Sequence, residues 1–413
     1  MQKFLKCISI FSSFILIFTF VLIGYGDKII PSEISIVENE KAYIPKVIGY
    51  DIYKADCNEN LNVLSTNNTI NFDSNIKLFN IFPVKNVDIN VYKRKYVYLG
   101  GDVFGIKLFT NGVLVVGMDT IDTENGTKNP AKESDIKIGD VILSINGVPI
   151  NTSKALSKII QQNIGKQVTM EIMRNNDRKQ VLYTPYIDKT SGKNKIGLWV
   201  RDSMAGIGTV TFYNPTNNTF GGLGHGIYDS DTEKIMPMKN GIMAGAYVKN
   251  YIKSYNGSVG ELCGVLTGKK NGSLCINSEI GVYGFTDLFP EKNKIPVAVR
   301  QEVHSGNVKI YCTIDQNGPK LYDAKIIKIL PFSKSQNKDM IIEITDKELL
   351  SKTGGILQGM SGTPIIQDGM LVGAITYVFV NNTKQGYAVL SEKMVDMSES
   401  KEMKKFEQLK NAS

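Results

Sequence analysis

The chain has 413 residues, of which 42% are hydrophobic and 21% are charged, and its formal net charge is +8. This length allows two or three domains with separate cores, and the composition is that of a folded protein without long low-complexity tracts. Scattered lysines supply the charge, which predicts a solvated basic surface or, as an alternative, attraction to an anionic membrane. No nucleic-acid motif is present, so no nucleic-acid partner is expected.

The five cysteines are too few to make a disulfide scaffold in a chain of this length. Their spacing does not resemble a zinc site, and we expect neither a metal nor a cofactor. Small buried side chains are the first interpretation of these cysteines. A disulfide between Cys263 and Cys275 remains open.

Residues 1–26 form a targeting segment. Lys3 and Lys6 precede an uncharged apolar stretch from Cys7 to Gly26, which is about long enough to cross a hydrocarbon core of ~30 Å as a helix. Basic residues before the stretch and Asp27 after it predict a cytoplasmic N-terminus and a translocated body. The absence of an Ala-x-Ala pattern favours a retained membrane anchor over a cleaved signal peptide, which remains the alternative.

Residues 27–91 are polar and rich in asparagine, and they predict either a small β-containing segment or an extended linker. From residue 92 to about 190 the pattern becomes that of a compact module. Its predicted strands and helix are Tyr96–Leu99, 112–117, 168–173 and a helix over 153–162. Between them lies the stretch IKIGDVILSING, in which Gly139-Asp140 turns the chain into a buried strand. Asn146-Gly147 then supplies a hairpin turn with positive φ.

This module resembles a PDZ domain of the type attached to bacterial proteases. In PDZ domains a peptide adds as a strand beside a core strand, and its terminal carboxylate sits in a nest of backbone N–H groups. The resemblance places that loop at Val103, Phe104, Gly105 and Ile106. A PDZ domain that only packs against its neighbour is the alternative.

Residues 195–400 consist of short β-branched runs broken by glycine and by Asn or Asp turns. This pattern predicts an all-β peptidase domain of sandwich or double-barrel type. The last stretch, from about Glu392 to Asn411, is charged and amphipathic. We expect a surface helix or a frayed tail there, with residues 401–413 as a charged tail.

Ser361 is the candidate nucleophile, because it stands in the glycine-rich stretch QGMSGTP. Glycines allow a tight turn in which successive N–H groups converge on one point. By analogy with trypsin-like peptidases, which use a Gly-x-Ser-Gly-x-Pro pattern, the N–H groups of Gly359 and Ser361 would form the oxyanion hole. An ordinary glycine-bracketed turn is the alternative.

A serine nucleophile needs an imidazole to take its proton, and the chain has only two histidines. His225 lies between glycines in GGLGHG, which leaves its ring accessible, whereas His304 has the polar neighbours of a strand edge. We therefore predict His225 as the general base. Two histidines so far apart cannot form a His-Glu-x-x-His metalloprotease helix, and no cysteine lies in a nucleophile-like turn.

A third group should orient the imidazole and stabilise its protonated form. Asp346 ends a buried-looking strand shortly before the serine, whereas Asp229 and Asp231 lie closer to His225 along the chain. Spacing alone does not decide between them.

Together these segments resemble the SpoIVB family of PDZ-containing serine peptidases from endospore-forming bacteria. The resemblance runs through GLGHGIYDSDT, EITDKELLSKTGGILQGMSGTPIIQDG and LVGAITYVFVN. It implies a chymotrypsin-like double β-barrel, with His225 as base, Ser361 as nucleophile and Asp346 as acid. The separation between His225 and Asp346 is long for that fold, and Asp346 lies unusually near the serine.

The resemblance also implies a function in sporulation signalling. Such an enzyme is exported into the space between the two membranes of the forespore and processes itself. It then cleaves a membrane-bound regulator of an intramembrane metalloprotease, so that a late sigma factor is activated. The PDZ domain would deliver substrate or hold the peptidase inactive. The alternative function is a secreted PDZ scaffold with a latent or degenerate peptidase domain.

Overall fold

The computed structural model describes residues 2–30, 32–38, 50–52, 69–78, 81–291, 294–330 and 335–411. The chain divides into two compact units. The first comprises Met1–Tyr96 and Pro296–Ser305, and the second comprises Val97–Ile295 and Gly306–Ser413.

The first unit begins with a long apolar helix, α1 (Gln2–Ile29). Residues Ile8–Lys28 of this helix have a mean hydropathy of 2.3 and are long enough to cross a membrane. A four-stranded sheet follows in the order β1-β4-β3-β2, with strands β1 (Glu33–Val37), β2 (Tyr50–Ile52), β3 (Thr69–Leu78) and β4 (Phe82–Tyr92). The region predicted as a β-containing segment or linker therefore contains a sheet in its described part.

The second unit carries most of the remaining regular structure. Up to residue 222 its elements are β5 (Tyr96–Leu99), β6 (Val103–Met118), β7 (Ile121–Thr123), β8 (Gly126–Lys128), α2 (Pro130–Glu133), β9 (Val141–Ile145), β10 (Val148–Pro149), α3 (Ser153–Gln162), β11 (Val168–Arg174), β12 (Asp177–Tyr183), β13 (Tyr186–Ile187), β14 (Asn194–Lys195), β15 (Leu198–Asn214) and β16 (Thr219–Gly222).

The later elements are β17 (Met238–Ile252), β18 (Glu261–Ser278), β19 (Gly281–Phe285), β20 (Lys294–Pro296), β21 (Gly306–Cys312), β22 (Lys320–Ile329), β23 (Met340–Ile344), α4 (Lys347–Thr353), β24 (Pro364–Gln367), β25 (Met370–Phe379), β26 (Asn382–Leu390), α5 (Ser391–Ser398) and α6 (Lys401–Asn411). A short 3-10 turn, Arg300–Glu302, belongs to the first unit.

The PDZ module is built on β9, β11 and β12, with helix α3 packed against them. Its core is formed by side chains such as Ile142, Leu156, Ile160 and Met170, all almost completely buried. The predicted hairpin turn is confirmed, because Asn146 and Gly147 both have positive φ and join β9 to β10. Helix α3 covers the predicted residues, and the hydroxyl of Thr152 caps it by accepting from the N–H of Ala155.

Six strands close the first barrel of the peptidase. In the order β6, β17, β18, β19, β16 and β15, each strand pairs with the next in antiparallel fashion, and β15 pairs back onto β6. Phe104, Val210, Phe220 and Val282 fill the interior. Closure leaves these strands without a free edge along the ring.

The predicted peptide-binding loop at Val103, Phe104, Gly105 and Ile106 is wrong. These residues form the start of β6, and strands β15 and β17 hydrogen-bond to its two edges. The side chains of Phe104 and Ile106 lie in the barrel core. No peptide strand can add to an edge that is already paired, so these residues do not provide the predicted binding edge.

The PDZ module is an insertion into this first barrel, not a domain that precedes it. Strand β6 leaves the barrel near Gly112, which has φ +99°, and its later residues enter the PDZ core. Strand β15 begins in the PDZ module and returns to the barrel. The predicted ranges of 92–190 and 195–400 therefore assign residues before 111 to the wrong domain, because one continuous strand serves both.

A second closed barrel follows, in the order β21-β22-β23-β26-β25-β24. Ile310, Ile326, Ile342 and Ile375 lie in its strands and are fully buried. Helix α4 and the loop after it connect β23 to β24. The fold prediction is confirmed: the chain is mainly β, with a PDZ domain, two peptidase barrels and an N-terminal apolar helix.

Two further sequence predictions are corrected. Cys263 and Cys275 lie on the same strand, β18, twelve residues apart, which at about 3.3 Å per residue is too far for a disulfide. The expected surface helix or frayed tail consists of α5 and α6. Helix α5 buries Met394 and Val395 in the fold, so the end of the chain contributes to the core.

Candidate functional site

His225 lies just beyond the end of β16 in the first barrel. The preceding Leu223 and Gly224 both have positive φ, which turns the chain sharply out of the strand. A β-carbon at Gly224 would stand 2.9 Å from the Cγ2 atom of Thr376, so only glycine allows this close approach of the two barrels. The glycines around His225 are therefore required by packing as well as by access to the ring.

Ser361 lies in the loop between α4 and β24, and Gly359 and Gly362 on either side of it both have φ +93°. A β-carbon at Gly362 would overlap the carbonyl oxygen of Thr209. Strand β15 of the first barrel holds this loop in place by hydrogen bonds. The hydroxyl of Thr209 donates to Gly359 O at 2.9 Å, and the hydroxyl of Thr211 donates to Gly362 O at 2.7 Å.

The N–H groups of Gly359 and Ser361 have no hydrogen-bond acceptor among the residues that the structure describes, whereas their neighbours do. Met360 N–H donates to Leu357 O, and Gly362 N–H donates to Ile375 O. Unpaired N–H groups on either side of one residue are what an oxyanion hole requires. The loop thus leaves open the two donors predicted from the sequence.

His225 and Ser361 line the same cavity, which has a volume of about 530 Å³ and is walled by both barrels. Most of the lining is apolar, and it includes Ile207, Ile356, Leu357, Val378 and Val380. Among the described residues of the lining, His225 is the one side chain that can carry a charge near neutral pH, since the tyrosine hydroxyls ionise only at high pH. The cavity therefore suits an apolar side chain better than a charged one.

Two contacts hold the imidazole of His225. Its Nδ1 atom lies 2.7 Å from Gly226 O, and its ring stacks on the ring of Tyr377, with 4.8 Å between centroids and 22° between planes. A carbonyl oxygen can only accept, so Nδ1 carries the hydrogen and Nε2 keeps its lone pair. Burial lowers the pKa of His225 below its ordinary value, and the bond to Gly226 O opposes this only in part.

The hydroxyl of Ser361 donates to Thr376 O at 2.8 Å, not to the imidazole. Thr376 and Tyr377 are consecutive on β25. One peptide step of this strand therefore supplies both the acceptor for the serine hydroxyl and the stacking partner of the histidine.

The structure does not bring Asp346 to His225. Asp346 is the N-cap of α4, where its Oδ1 accepts from Leu349 N–H at 2.9 Å and its Oδ2 accepts from Asp323 N–H. It does not line the cavity. Within the described part of the chain, its carboxylate makes no hydrogen bond to the imidazole.

Asp229 and Asp231 do not contact the imidazole either. Asp229 is buried and accepts from the N–H groups of Asp231 and Thr232, and its carboxylate pairs with Arg201. Asp231 pairs with the same guanidinium at 2.6 Å. His304 belongs to the other compact unit and is exposed. Among the described residues, no group of three or more His, Cys, Asp and Glu side chains could hold a metal ion.

A second cavity, of about 490 Å³, lies in the PDZ module between α3 and the segment from Asn194 to Val200. Leu156, Ser157 and Ile160 of α3 line one wall. On the other wall, Leu198–Val200 pair with β6 along one edge, and no other strand of the described chain pairs along the second edge. Trp199, the only tryptophan of the protein, borders this groove and is 64% exposed.

This groove has a helix on one wall and an open strand edge on the other, the features that the PDZ resemblance placed at residues 103–106. The missed signal is the run Ile196-Gly197-Leu198. Like Phe104-Gly105-Ile106, it has a glycine between two apolar residues near the start of a strand. Gly197 has φ +61°. Sequence spacing alone gave no reason to prefer this run over the earlier one.

Two antiparallel barrels, with a serine in a glycine-bracketed loop and a histidine on one shared cavity, define a serine endopeptidase of the trypsin-like class. Residues 192–395 match the SpoIVB peptidase S55 family, and residues 112–182 match the PDZ domain family. The chain thus contains a SpoIVB-type peptidase domain and a PDZ domain, and the resemblance drawn from its sequence is confirmed. None of the curated proteins matches it.

Several solved structures are similar to parts of the chain. A PDZ domain of an SdrC-like protein from Listeria monocytogenes is 23% identical, covers 22% of this chain and 87% of its own, and has a TM-score of 0.18. The active form of the Rv3671c protease from M. tuberculosis is 14% identical and covers 46% of this chain and 72% of its own, with a TM-score of 0.26. The HtrA-type protease AlgW with a decapeptide is 11% identical, covers 52% of this chain and 55% of its own, and has a TM-score of 0.29.

Proposed function

We propose that Ser361 is the nucleophile and His225 the general base of this endopeptidase. The observation that carries the proposal is the shared cavity, which His225, Gly359 and Ser361 all line, and the N–H groups of Gly359 and Ser361 have no acceptor among the described residues. The hydroxyl of Ser361 first leaves Thr376 O and turns to Nε2 of His225, which takes its proton as Oγ attacks the scissile carbonyl. The two N–H groups then stabilise the oxyanion, and the imidazolium returns the proton to the leaving amine.

The substrate is a peptide with an apolar side chain next to the scissile bond. Among the described residues, the walls of the cavity carry no Asp, Glu, Lys or Arg that could pair with a charged substrate side chain, and a buried unpaired charge is costly. Peptide binding by the PDZ domain takes place in the groove between α3 and Leu198–Val200, where a strand can add to the open edge.

The biological role is that of a sporulation signalling protease. The S55 match and the N-terminal apolar helix support an enzyme held at a membrane with its body outside the cytoplasm, in the space between the forespore membranes. There it would process itself and cleave a membrane-bound regulator of an intramembrane metalloprotease. Asp346 as the triad acid is the alternative that the family resemblance implies, and it would require a rearrangement, since Asp346 caps α4 here.

A PDZ scaffold with a latent peptidase domain is the second candidate. The hydrogen bond from Ser361 to Thr376 O favours it, because a hydroxyl held in this way is not yet activated by the imidazole.

The test is a time course of the full-length protein in detergent beside its Ser361→Ala variant, read by intact mass, with casein as an added substrate. We expect cleavage in the parent alone, at bonds that follow apolar residues. Cleavage by both proteins would exclude Ser361, and cleavage after lysine or glutamate would exclude the proposed substrate class. If neither protein cleaves, the latent scaffold becomes the better account.

A further inference from the structure

We infer that Tyr377 is a positioning residue for His225, and that it occupies the role that a triad carboxylate has in related active sites. The inference rests on the proposed function of His225 as base. The two rings stack with 4.8 Å between centroids and 22° between planes. Neither Asp346 nor Asp229 contacts the imidazole.

One hydrogen bond does not fix an imidazole. The bond from Nδ1 to Gly226 O selects the tautomer, but the ring can still rotate about that single contact. A flat aromatic face against the imidazole removes this freedom, because rotation would separate the two planes. The same face stabilises the imidazolium that forms when the serine gives up its proton, since a cation is attracted to an aromatic π-system.

Tyr377 is itself held in place. Its hydroxyl accepts from the side-chain amide of Asn337 at 3.2 Å, and that amide also donates to Glu279 O at 2.7 Å. The backbone of Asn337 accepts from the hydroxyl of Thr376 at 3.1 Å, which secures the adjacent residue of β25. Burial raises the pKa of Tyr377 to about 12, so the phenol is neutral under working conditions.

The placement on β25 links the two reacting side chains. Thr376 O accepts from Ser361, and Tyr377 stacks on His225. A small twist of this strand that releases the serine hydroxyl would leave the imidazole stacked and ready to take the proton. The strand thus orients the nucleophile and its base together.

The test compares Tyr377→Phe, which keeps the stack, with Tyr377→Leu, which removes it. The rate of fluorophosphonate labelling of Ser361 is measured in the full-length protein, because this small reagent does not depend on a peptide-binding site. We expect Tyr377→Phe to react within about threefold of the parent, and Tyr377→Leu to react about 10- to 100-fold more slowly, the range that misplacement of a catalytic group produces. Lys338→Gln is the matched control. It changes a side chain beside the same ring, whose centroid lies 5.7 Å from Lys338 Nζ, but it keeps the stack of Tyr377 on His225.

Proton resonances of the imidazole provide a second readout that does not need activity. The protein has only two histidines, and the His304→Gln variant leaves the signal of His225 alone. Stacking shifts the ring protons of His225 upfield in the parent and in Tyr377→Phe, and Tyr377→Leu removes the shift. An unshifted signal in the parent, or an unchanged labelling rate in folded Tyr377→Leu, overturns the inference. A shifted signal in a parent that never labels would instead overturn the proposed function and leave the stack intact.

Discussion

At the level of single residues, the environment of His225 differs from that of a conventional triad. The imidazole contacts Gly226 O and the ring of Tyr377, whereas the aspartate predicted as its partner caps α4. The sequence made His225 and Ser361 recognisable, because each lies in a glycine-rich motif and the chain has only two histidines. The sequence could not predict which groups the carboxylate of Asp346 contacts, because these contacts depend on the three-dimensional path of the chain.

Substitutions at Asp346 distinguish between two roles of this residue, that of a helix cap and that of a triad acid. Asparagine caps a helix about as well as aspartate, so Asp346→Asn should keep the cap and a labelling rate close to that of the parent, and it loses only the exposed bond from Asp323 N–H. Asp346→Ala loses the cap and should lower the free energy of unfolding by about 1 kcal/mol. Denaturant unfolding and fluorophosphonate labelling measure the two effects. A loss of about 10⁴-fold in labelling rate for Asp346→Asn would instead show that Asp346 acts as the triad acid.

The pH profile tests the state of His225. Burial lowers its pKa below the ordinary 6.5, and the base must be neutral to accept a proton. A lowered pKa keeps the imidazole neutral to a more acidic pH, so the acid limb of kcat/KM should have its midpoint below 6.5. His304→Gln should leave the profile unchanged. A midpoint above 6.5 would show that a negative charge raises the pKa of the imidazole in the working enzyme.

At the level of elements, β15 connects the two functional regions. Its first residues, Leu198–Val200, line the PDZ groove, and Met204–Ile207 line the active-site cavity. Further along, Thr209 and Thr211 hold the loop that carries Ser361. This single strand passes from the PDZ module into the first barrel and then to the loop that carries Ser361.

Removal of the hydroxyl of Thr211 should loosen the nucleophile loop. Thr211→Val keeps the shape of the side chain but leaves the buried carbonyl of Gly362 without its donor, which costs about 1–3 kcal/mol. We expect a lower unfolding midpoint in urea and slower labelling of Ser361. Thr211→Ser, which keeps the hydroxyl, is the control and should label at nearly the parent rate. Equal behaviour of the two variants would show that this bond does not secure the loop.

At the level of the whole molecule, the PDZ domain is an insertion within the peptidase. The sequence predicted both modules correctly, and it predicted helix α3 and the Asn146-Gly147 turn, since these depend on local patterns. It could not assign β6, because an apolar run beside glycines has the same pattern in a PDZ strand and in a barrel strand. The strand pairings resolve this, and the proposed peptide-binding groove therefore lies at Leu198–Val200.

Trp199 reports directly on that groove, because it is the only tryptophan in the chain. Titration with peptides that end in an apolar residue should change its fluorescence. Ser157→Phe places a large side chain in the groove and should weaken binding about tenfold or more, as expected for 1–3 kcal/mol of overpacking. Lys158→Phe, one residue away and outside the lining, is the control. Equal affinities in both variants would place peptide binding elsewhere.

The most direct test of the central claim is fluorophosphonate labelling of four full-length proteins: the parent, Ser361→Ala, His225→Ala and His304→Ala. The account predicts labelling of the parent and of His304→Ala at similar rates, and no labelling of the other two. Peptide mapping should place the adduct on Ser361. Full labelling of His225→Ala, or an adduct on another residue, would contradict the assignment of His225 and Ser361 as base and nucleophile.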